Sequence, residues 1–349
     1  MDLFETLTAL CSATGPSGFE HSVAQVARGL MEPLMDEVSV DRLGNVIGVR
    51  RCGKKDAKRI LWDAHLDEIG LIVTGIDEGF LRFDTIGGVD PRMLPARELT
   101  VLTKPKPIWG VVACLPPHVL TAADRDRSVD ISDLRIDIGM TQAQAEKAVP
   151  VGTPIAYKGG CFRLGKEQVC GKSLDDRSCF TVLLRAAELL RNVKLDVDLY
   201  IMGSTREETG GTGSIVGTNA VHPDCCVAVD VTHGATPDLP HPSDRACRIF
   251  DGAAIGVGPN MTWWMTDRMK AVAEARRIPY QLEVMAGSTG TNGWEMQTCL
   301  EGIPTSVISL PLKYMHSPIE VVALDDMEQV ARLLAAFVEG LGEEGALCC

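Results

Sequence analysis

The chain has 349 residues, 45% of them hydrophobic and 23% charged, an ordinary make-up for a globular protein with room for a sizeable core and about two domains. With 34 Lys and Arg against 47 Asp and Glu, the net charge of −13 argues against a nucleic-acid partner or an anionic membrane, since both need a basic face. No apolar run approaches the roughly 18 residues of a membrane span, and Met1-Asp2-Leu3-Phe4-Glu5 lacks the basic and apolar regions of a signal peptide, so a cytoplasmic protein is expected.

Leu3, Leu7 and Leu10 predict a helix that stops at Gly15-Pro16-Ser17-Gly18, and Val23, Val26 and Leu30 predict a second. Strands are expected at 38–40, 46–49 and 60–62, the last feeding Asp63-Ala64-His65-Leu66-Asp67. From about Gly70 to Tyr157, short apolar runs alternate with Gly and Pro, and only Gln142 to Ala148 reads as a helix. That texture predicts a small β-rich barrel or sandwich. Helices and strands alternate again after Gly171: helix at 180–190, strands at 197–202 and 225–231, helix at 261–277, strands at 280–285 and 305–310, and a closing helix at 327–341. The pattern predicts an α/β domain of residues 1–69 and 160–349, interrupted by a β-rich insertion at 70–159. The twelve Cys contain no C-x-x-C pair, and most are expected to be small buried apolar residues; Cys348 and Cys349 close the sequence.

Several strand-like runs end in a carboxylate or an imidazole. Ile60-Leu61-Trp62 ends near His65, and Leu199-Tyr200-Ile201-Met202 runs into Glu207-Glu208. Val227-Ala228-Val229 ends at Asp230, and Val307-Ile308-Ser309-Leu310 runs on to His316. Ligands of open α/β sheets gather outside the carboxyl ends of the strands, so these groups would converge there. Like charges brought together in this way call for a metal ion.

Each group also has a plainer reading. In His65-Leu66-Asp67, His65 suits a metal ligand whose second ring nitrogen is oriented by Asp67, but the triplet also suits a polar loop. Glu207-Glu208 offers one acid to hold an ion and one to take a proton from water, or simply a solvated loop. Asp175-Asp176 reads as an N-cap with first-turn acids or as a bridging carboxylate. Asp230 also fits a strand-end turn, and His316 a loop imidazole. His21, His118, His222 and His241 join no set, and His233 is expected to line the site without ligating. Trp263-Trp264 is expected to pack. Gly210-Gly211-Thr212-Gly213 lacks the Lys-Ser/Thr of a phosphate loop.

Taken in order, these groups resemble the cobalt- or zinc-dependent aminopeptidases of the tetrahedral-aminopeptidase and glutamyl-aminopeptidase group, whose members are often also labelled cellulase or endoglucanase. The resemblance runs through Thr14-Gly15-Pro16-Ser17-Gly18, His65-Leu66-Asp67-Glu68-Ile69-Gly70, Ile86-Gly87-Gly88-Val89-Asp90 and Leu174-Asp175-Asp176-Arg177. It continues through Glu207-Glu208-Thr209-Gly210, Asp230-Val231-Thr232 and Tyr314-Met315-His316-Ser317-Pro318. Asp175 follows Asp67 by 108 positions, which places the β-rich insertion before the bridging Asp, as in the tetrahedral aminopeptidases.

The resemblance implies a mixed-sheet α/β metallopeptidase fold (phosphorylase/hydrolase-like) and two divalent ions per subunit, zinc or cobalt, with manganese as a further choice. His65 and Asp230 would hold one ion, Glu208 and His316 the other, and Asp175 would bridge them. Asp67 would orient His65, and Glu207 would be general base and acid toward a hydroxide shared by the ions. It further implies a cis Asp175-Asp176 peptide, peptide substrates, and homo-oligomers (dodecamers or dimers) assembled through the β-rich insertion. Thr209, Cys179, Asn292 and Arg206 depart from residues common in the family, but none removes a ligand or the base. Two other readings are an endoglucanase, disfavoured because glycosidases usually need no metal and aromatics are only 5% here, and a non-catalytic peptide-binding scaffold, which predicts a lost ligand.

Overall fold

The computed structural model describes residues 1–121, 128–237 and 247–342; His241, Cys348 and Cys349 lie outside the described residues. Helices α1 (Leu3–Ser12) and α2 (His21–Met31) flank the Gly15 to Gly18 turn, and Asp2 caps α1 by accepting the Glu5 N–H. Strands β1 (Glu37–Val40) and β2 (Val46–Arg50) form a hairpin, and β3 (Arg59–His65) is buried from its second residue onward.

Six strands then close a barrel: β4 (Gly70–Asp77), β5 (Phe80–Ile86), β6 (Glu98–Val101), β7 (Ile108–Ala113), β8 (Arg135–Asp137) and β9 (Pro154–Tyr157). Their order is β4-β5-β8-β7-β6-β9, every pairing is antiparallel, and β9 returns to β4. Leu71, Val73, Leu81, Leu99, Val112 and Ile155 fill the barrel's own apolar core. Helix α3 (Gln142–Ala148) starts on a capping box made by Thr141 and Gln144.

The chain returns through β10 (Cys161–Leu164), β11 (Gln168–Gly171), α4 (Leu174–Leu189), β12 (Asp198–Ser204), α5 (Thr212–Val221) and β13 (Cys225–His233). It ends with β14 (Ala253–Val257), α6 (Trp263–Arg276), β15 (Tyr280–Val284), α7 (Gly293–Met296), β16 (Thr305–Lys313), β17 (Glu320–Ala323) and α8 (Leu324–Glu339). The main sheet runs β1-β2-β12-β3-β13-β16-β17-β11-β10, with β14 on β16 and β15 on β14. Its centre, β12-β3-β13-β16, is parallel. Phe180, Leu183, Leu334 and Phe337 from α4 and α8 pack with Leu7 and Leu10 of α1 on one face. Met202, Val221, Cys226 and Met296 form a smaller core that involves α5 and α7. This is the expected mixed α/β fold with a barrel, and the barrel closes rather than forming a sandwich.

Several elements escape the apolar periodicity, among them β10, β11 and α7. Helix α5 carries Gly213 and Gly217, where a Cβ would overlap the Thr205 carbonyl and the Met202 sulfur, so its docking face is bare backbone rather than an apolar stripe. Strands β14 and β17 are short and lie beside turn residues. Trp263 does not pack as expected: it is 72% exposed, while Trp264 lies against the core. Successive helical residues point about 100° apart, so only one of the pair can face the sheet. Seven of the ten described cysteines are buried, in keeping with their reading as small apolar residues. Among the described residues, no helix is long and apolar enough to cross a membrane.

One buried ionic cluster ties the fold at the foot of the barrel. Glu68 accepts Lys172 Nζ at 2.6 Å, the Gly15 N–H at 2.8 Å and the Ser173 hydroxyl, and lies 3.3 Å from the fully buried Arg177 guanidinium. Arg177 also donates to the Leu10, Ala13 and Leu66 carbonyls, which locks α1, the end of β3 and α4 together. Burial alone would raise the Glu68 carboxyl, but Arg177 and Lys172 outweigh it and hold the group at about 2. A carboxyl held low stabilises the fold above its ordinary value near 4.5, and that contribution fades as pH falls toward about 2. Glu68→Gln should therefore lower stability by about 3–5 kcal/mol at neutral pH, because it leaves two buried cations short of a partner. In urea titrations, the gap to wild type should narrow steadily below the ordinary range. A gap independent of pH would contradict this account.

Candidate metal centre

Strand register brings the candidate residues to one place. His65 pairs with Ser204 across β3 and β12. Strand β13 leaves β3 after Ala228, opposite Asp63, so Asp230 two residues on stands level with His65. The strand expected at 225–231 runs two residues further, since pairing with β16 carries it on to His233, and Asp230 lies within it rather than at a strand-end turn. Glu207 and Glu208 follow the end of β12 by way of Arg206, whose φ is 59°, and His316 follows β16 with a φ of 59°. Asp175 and Asp176 open α4 with non-helical angles, and the peptide between them is cis. The N-cap position falls on Ser173, so neither aspartate serves as the cap and both side chains are free for other partners.

Two donor groups result. In each, one atom per residue lies within 4.8 Å of the others: His65, Asp175 and Asp230 in the first, and Asp175, Glu208 and His316 in the second. Asp175 belongs to both and gives each a different oxygen, Oδ1 at 3.1 Å from His65 Nε2 and Oδ2 at 3.4 Å from His316 Nε2. Glu208 Oε2 is 3.5 Å from His316 Nε2. Glu207 is in neither group, but its carboxylate is 3.9 Å from His65 Nε2. Two sets of imidazole nitrogen and carboxylate oxygen around a shared carboxylate fit two divalent ions of the zinc, cobalt or manganese kind.

Backbone donors hold these acids in place. Asp67, fully buried, accepts the Glu207 N–H on Oδ1 and the Glu208 N–H on Oδ2, both at 3.1 Å. Its link to His65 is looser: Nδ1 lies 3.1 Å from the Asp67 carbonyl and 3.4 Å from its carboxylate. Asp176 Oδ2 accepts the His65 N–H at 3.1 Å, and Glu320 accepts the N–H groups of Asp175 and His316. The sequence pattern did not single out Glu320 or Glu68. The spacing His316-Ser317-Pro318-Ile319-Glu320 held the only available cue, an acid at a strand start after a tight turn.

Crowded acids shift one another. Burial raises Glu207 to about 7, His65 opposes the rise, and Asp175 and Asp67 add to it. Burial, then Asp175, raises Glu208 well above its ordinary value. Asp230 also rises chiefly through burial, with Glu207 and Asp175 adding to it. His65 shows the converse: burial favours the neutral ring, but hydrogen bonds to Asp175 and Asp67 outweigh it and hold a proton on the imidazole. Among the family departures, Asn292 donates to Asp63 at 2.7 Å and to Ser204 at 2.9 Å, and Thr209 shares a 2.8 Å hydrogen bond with Ser17. Cys179 is fully buried in α4, and the Arg206 N–H donates to Glu20. His233 ends β13 exposed, outside both donor groups.

A mixed sheet that gathers imidazoles and carboxylates at its parallel strand ends is thus joined to a closed barrel, the α/β architecture of a candidate metal site. The chain belongs to the M42 glutamyl aminopeptidase family, whose sequence profile matches residues 44–333. It is 32% identical to a lysyl aminopeptidase of Pyrococcus furiosus, over 97% of each chain. A solved TET aminopeptidase from a marine sediment archaeon of the Thaumarchaeota is 30% identical, with a TM-score of 0.92 over 99% of this chain and 98% of the other. A Pyrococcus horikoshii TET peptidase, described as able to assemble into a tetrahedron or a large octahedral shell, is 28% identical, with a TM-score of 0.83 over 97% and 99%.

The raised carboxyls and the protonated His65 should give up protons when a cation takes their place. Zinc or cobalt binding to the metal-free protein should thus release protons and tighten as pH rises. Calorimetric titrations in two buffers of different ionisation enthalpy count those protons. A count of zero would mean that the groups are already ionised together.

Proposed function

We propose that the chain is a dinuclear metallo-aminopeptidase that removes N-terminal residues from peptides in the cytoplasm. The observation that carries this reading is the pair of donor groups sharing Asp175, with Glu207 3.9 Å from His65 and part of neither. His65 and Asp230 would hold one divalent ion, Glu208 and His316 the other, and Asp175 both. Ions held there supply Lewis-acid charge for activating water and polarising the scissile carbonyl.

The remaining work belongs to side chains of the protein. Glu207 takes the proton of the attacking water and returns it to the leaving amine. A group that must both accept and donate works best with an affinity near the operating pH, and the buried position of Glu207 favours that balance. Asp67 keeps Glu207 and Glu208 at fixed places by binding both of their amides, so that the base and a ligand cannot exchange roles. Five ligands in place speak against a non-catalytic scaffold. A bridged donor set speaks against a metal-free pair of acids of the glycosidase type.

We further propose that the barrel, residues 70–159, is a separate inserted unit through which copies of the chain assemble and which limits access to peptides. Trp109 at 71% exposure and Val111 at 46% give β7 an apolar outer face suited to such contacts. A dodecamer or a dimer is the expected assembly; a solved Pyrococcus horikoshii TET peptidase 28% identical to this chain is described as a dodecamer.

Chelation should abolish release of aminoacyl-anilides, and cobalt, zinc or manganese should restore it. Glu207→Gln should lower kcat by about 10²–10⁴-fold while still binding the ions. Turnover equal to wild type in that variant, at full metal occupancy, would remove Glu207 from the mechanism.

A further inference from the structure

Glu320 is the first residue of β17 and only 2% exposed. Its Oε2 accepts the Asp175 N–H at 3.1 Å and its Oε1 accepts the His316 N–H at 3.0 Å. It belongs to neither donor group, although the two residues it holds both do. A carboxylate with an oxygen on each of two backbone amides acts as a clamp, and this one spans the start of α4 and the loop after β16.

The two donor groups depend on that clamp unequally. His65 is fixed by its ladder pairing with Ser204, by Asp176 on its N–H, and by the Asp67 carbonyl at its ring. His316 lies beyond the last ladder pair of β16 and β17, which is Lys313 with Val321. It sits in a turn where Tyr314 and His316 itself both have positive φ, 62° and 59°. That backbone is costly for a residue with a side chain and persists only where its surroundings enforce it. Glu320 supplies the enforcing contact.

We propose that Glu320 is a positioning residue that presets Asp175 and His316, and through them the ion position formed by Asp175, Glu208 and His316, while leaving the position formed by His65, Asp175 and Asp230 largely intact. The proposal rests on the two-ion reading above. Gln is the informative replacement, because it keeps the size but offers one acceptor oxygen and one N–H₂ donor. One of the two amides would then face a donor and lose its bond.

The first measurement needs no metal. Hydrogen exchange on the metal-free protein should show the peptide covering Asp175 or the one covering His316 exchanging at least tenfold faster in Glu320→Gln than in wild type, with the His65 strand unchanged. The second is cobalt titration against a chelating dye. Wild type should take two ions, and Glu320→Gln should take one with near-normal affinity and the other about 10–100-fold more weakly, the usual effect of losing an outer partner of a ligand. Excess cobalt should then restore kcat with KM unchanged, which a general loosening of the fold would not do.

Unchanged exchange, two ions bound as in wild type, or equal loss of both ions would each overturn the proposal. A wild-type chain that takes up no divalent ion would defeat the two-ion reading, while the exchange measurement still decides whether Glu320 holds the two amides. Should Glu320→Gln not fold, Glu320→Asp, which draws the charge back by one methylene, is put through the same measurements with the same outcomes.

Discussion

The constraint on which this structure turns is the crowding of negative charge around Asp175. Asp67, Asp175, Glu208 and Asp230 are buried or nearly so, with Glu207 beside them. Ionised carboxylates taken out of water lose hydration and, side by side, repel one another. A folded chain can tolerate such a set only if each oxygen finds a donor or a cation. Here the acids divide into two kinds. Asp67 and Glu320 spend both oxygens on backbone amides, and Asp176 spends Oδ2 on one. Asp175, Glu208 and Asp230 each bring an oxygen close to an imidazole and to one another, although Asp230 Oδ1 also accepts the Val231 N–H.

The fold meets this constraint through its connections. Parallel pairing of β12, β3, β13 and β16 aims successive strand ends the same way. Asp175 enters from a different direction, from the start of a helix, and that direction lets its two oxygens face two groups. The Glu68, Lys172 and Arg177 cluster then fixes the helix start against β3 and the Gly15 turn. The barrel begins at Gly70, immediately beyond that cluster, so its first strand leaves from a rigid point. Of the two cations there, Lys172 has its affinity for a proton lowered by burial, and Arg177 is held by three carbonyls and Glu68.

Much of this was legible in the sequence because strand ends and ligand types coincide. His65, Glu207, Glu208, Asp230 and His316 each follow an apolar run, and a chemist can read that pattern without coordinates. The barrel was legible from its Gly and Pro punctuation, though closure was not, because the pairing of β9 with β4 joins residues more than eighty positions apart. Helix α5 was hidden because close backbone packing replaces an apolar stripe with glycines. Glu68 and Glu320 were hidden for a deeper reason. Each looks like an ordinary surface acid, and only the tertiary fold supplies the amides and cations that make a buried carboxylate affordable. Asp67 was legible as a partner of His65, but its stronger bonds, to the Glu207 and Glu208 amides, cross 140 positions and could not be read from a triplet.

The departures from the family pattern follow the same electrostatic logic. Asp63 lies fully inside the sheet, and burial pushes it up to about 7 against the hydrogen bonds from Ser204 and Asn292. A second carboxyl at position 292 would add repulsion to that cost, whereas the Asn292 amide offers a donor at 2.7 Å. Thr209 likewise turns an apolar contact into a bond with Ser17, a residue that also helps to hold the Asp67 carboxyl in its ionised form. Both residues bond partners outside the two donor groups and leave the members of those groups unchanged. Arg206 differs, because it precedes the base directly and its backbone is pinned by Glu20. Of the departures, it is the one that adjoins Glu207 in the chain, and its N–H bond to Glu20 fixes the backbone from which Glu207 and Glu208 follow.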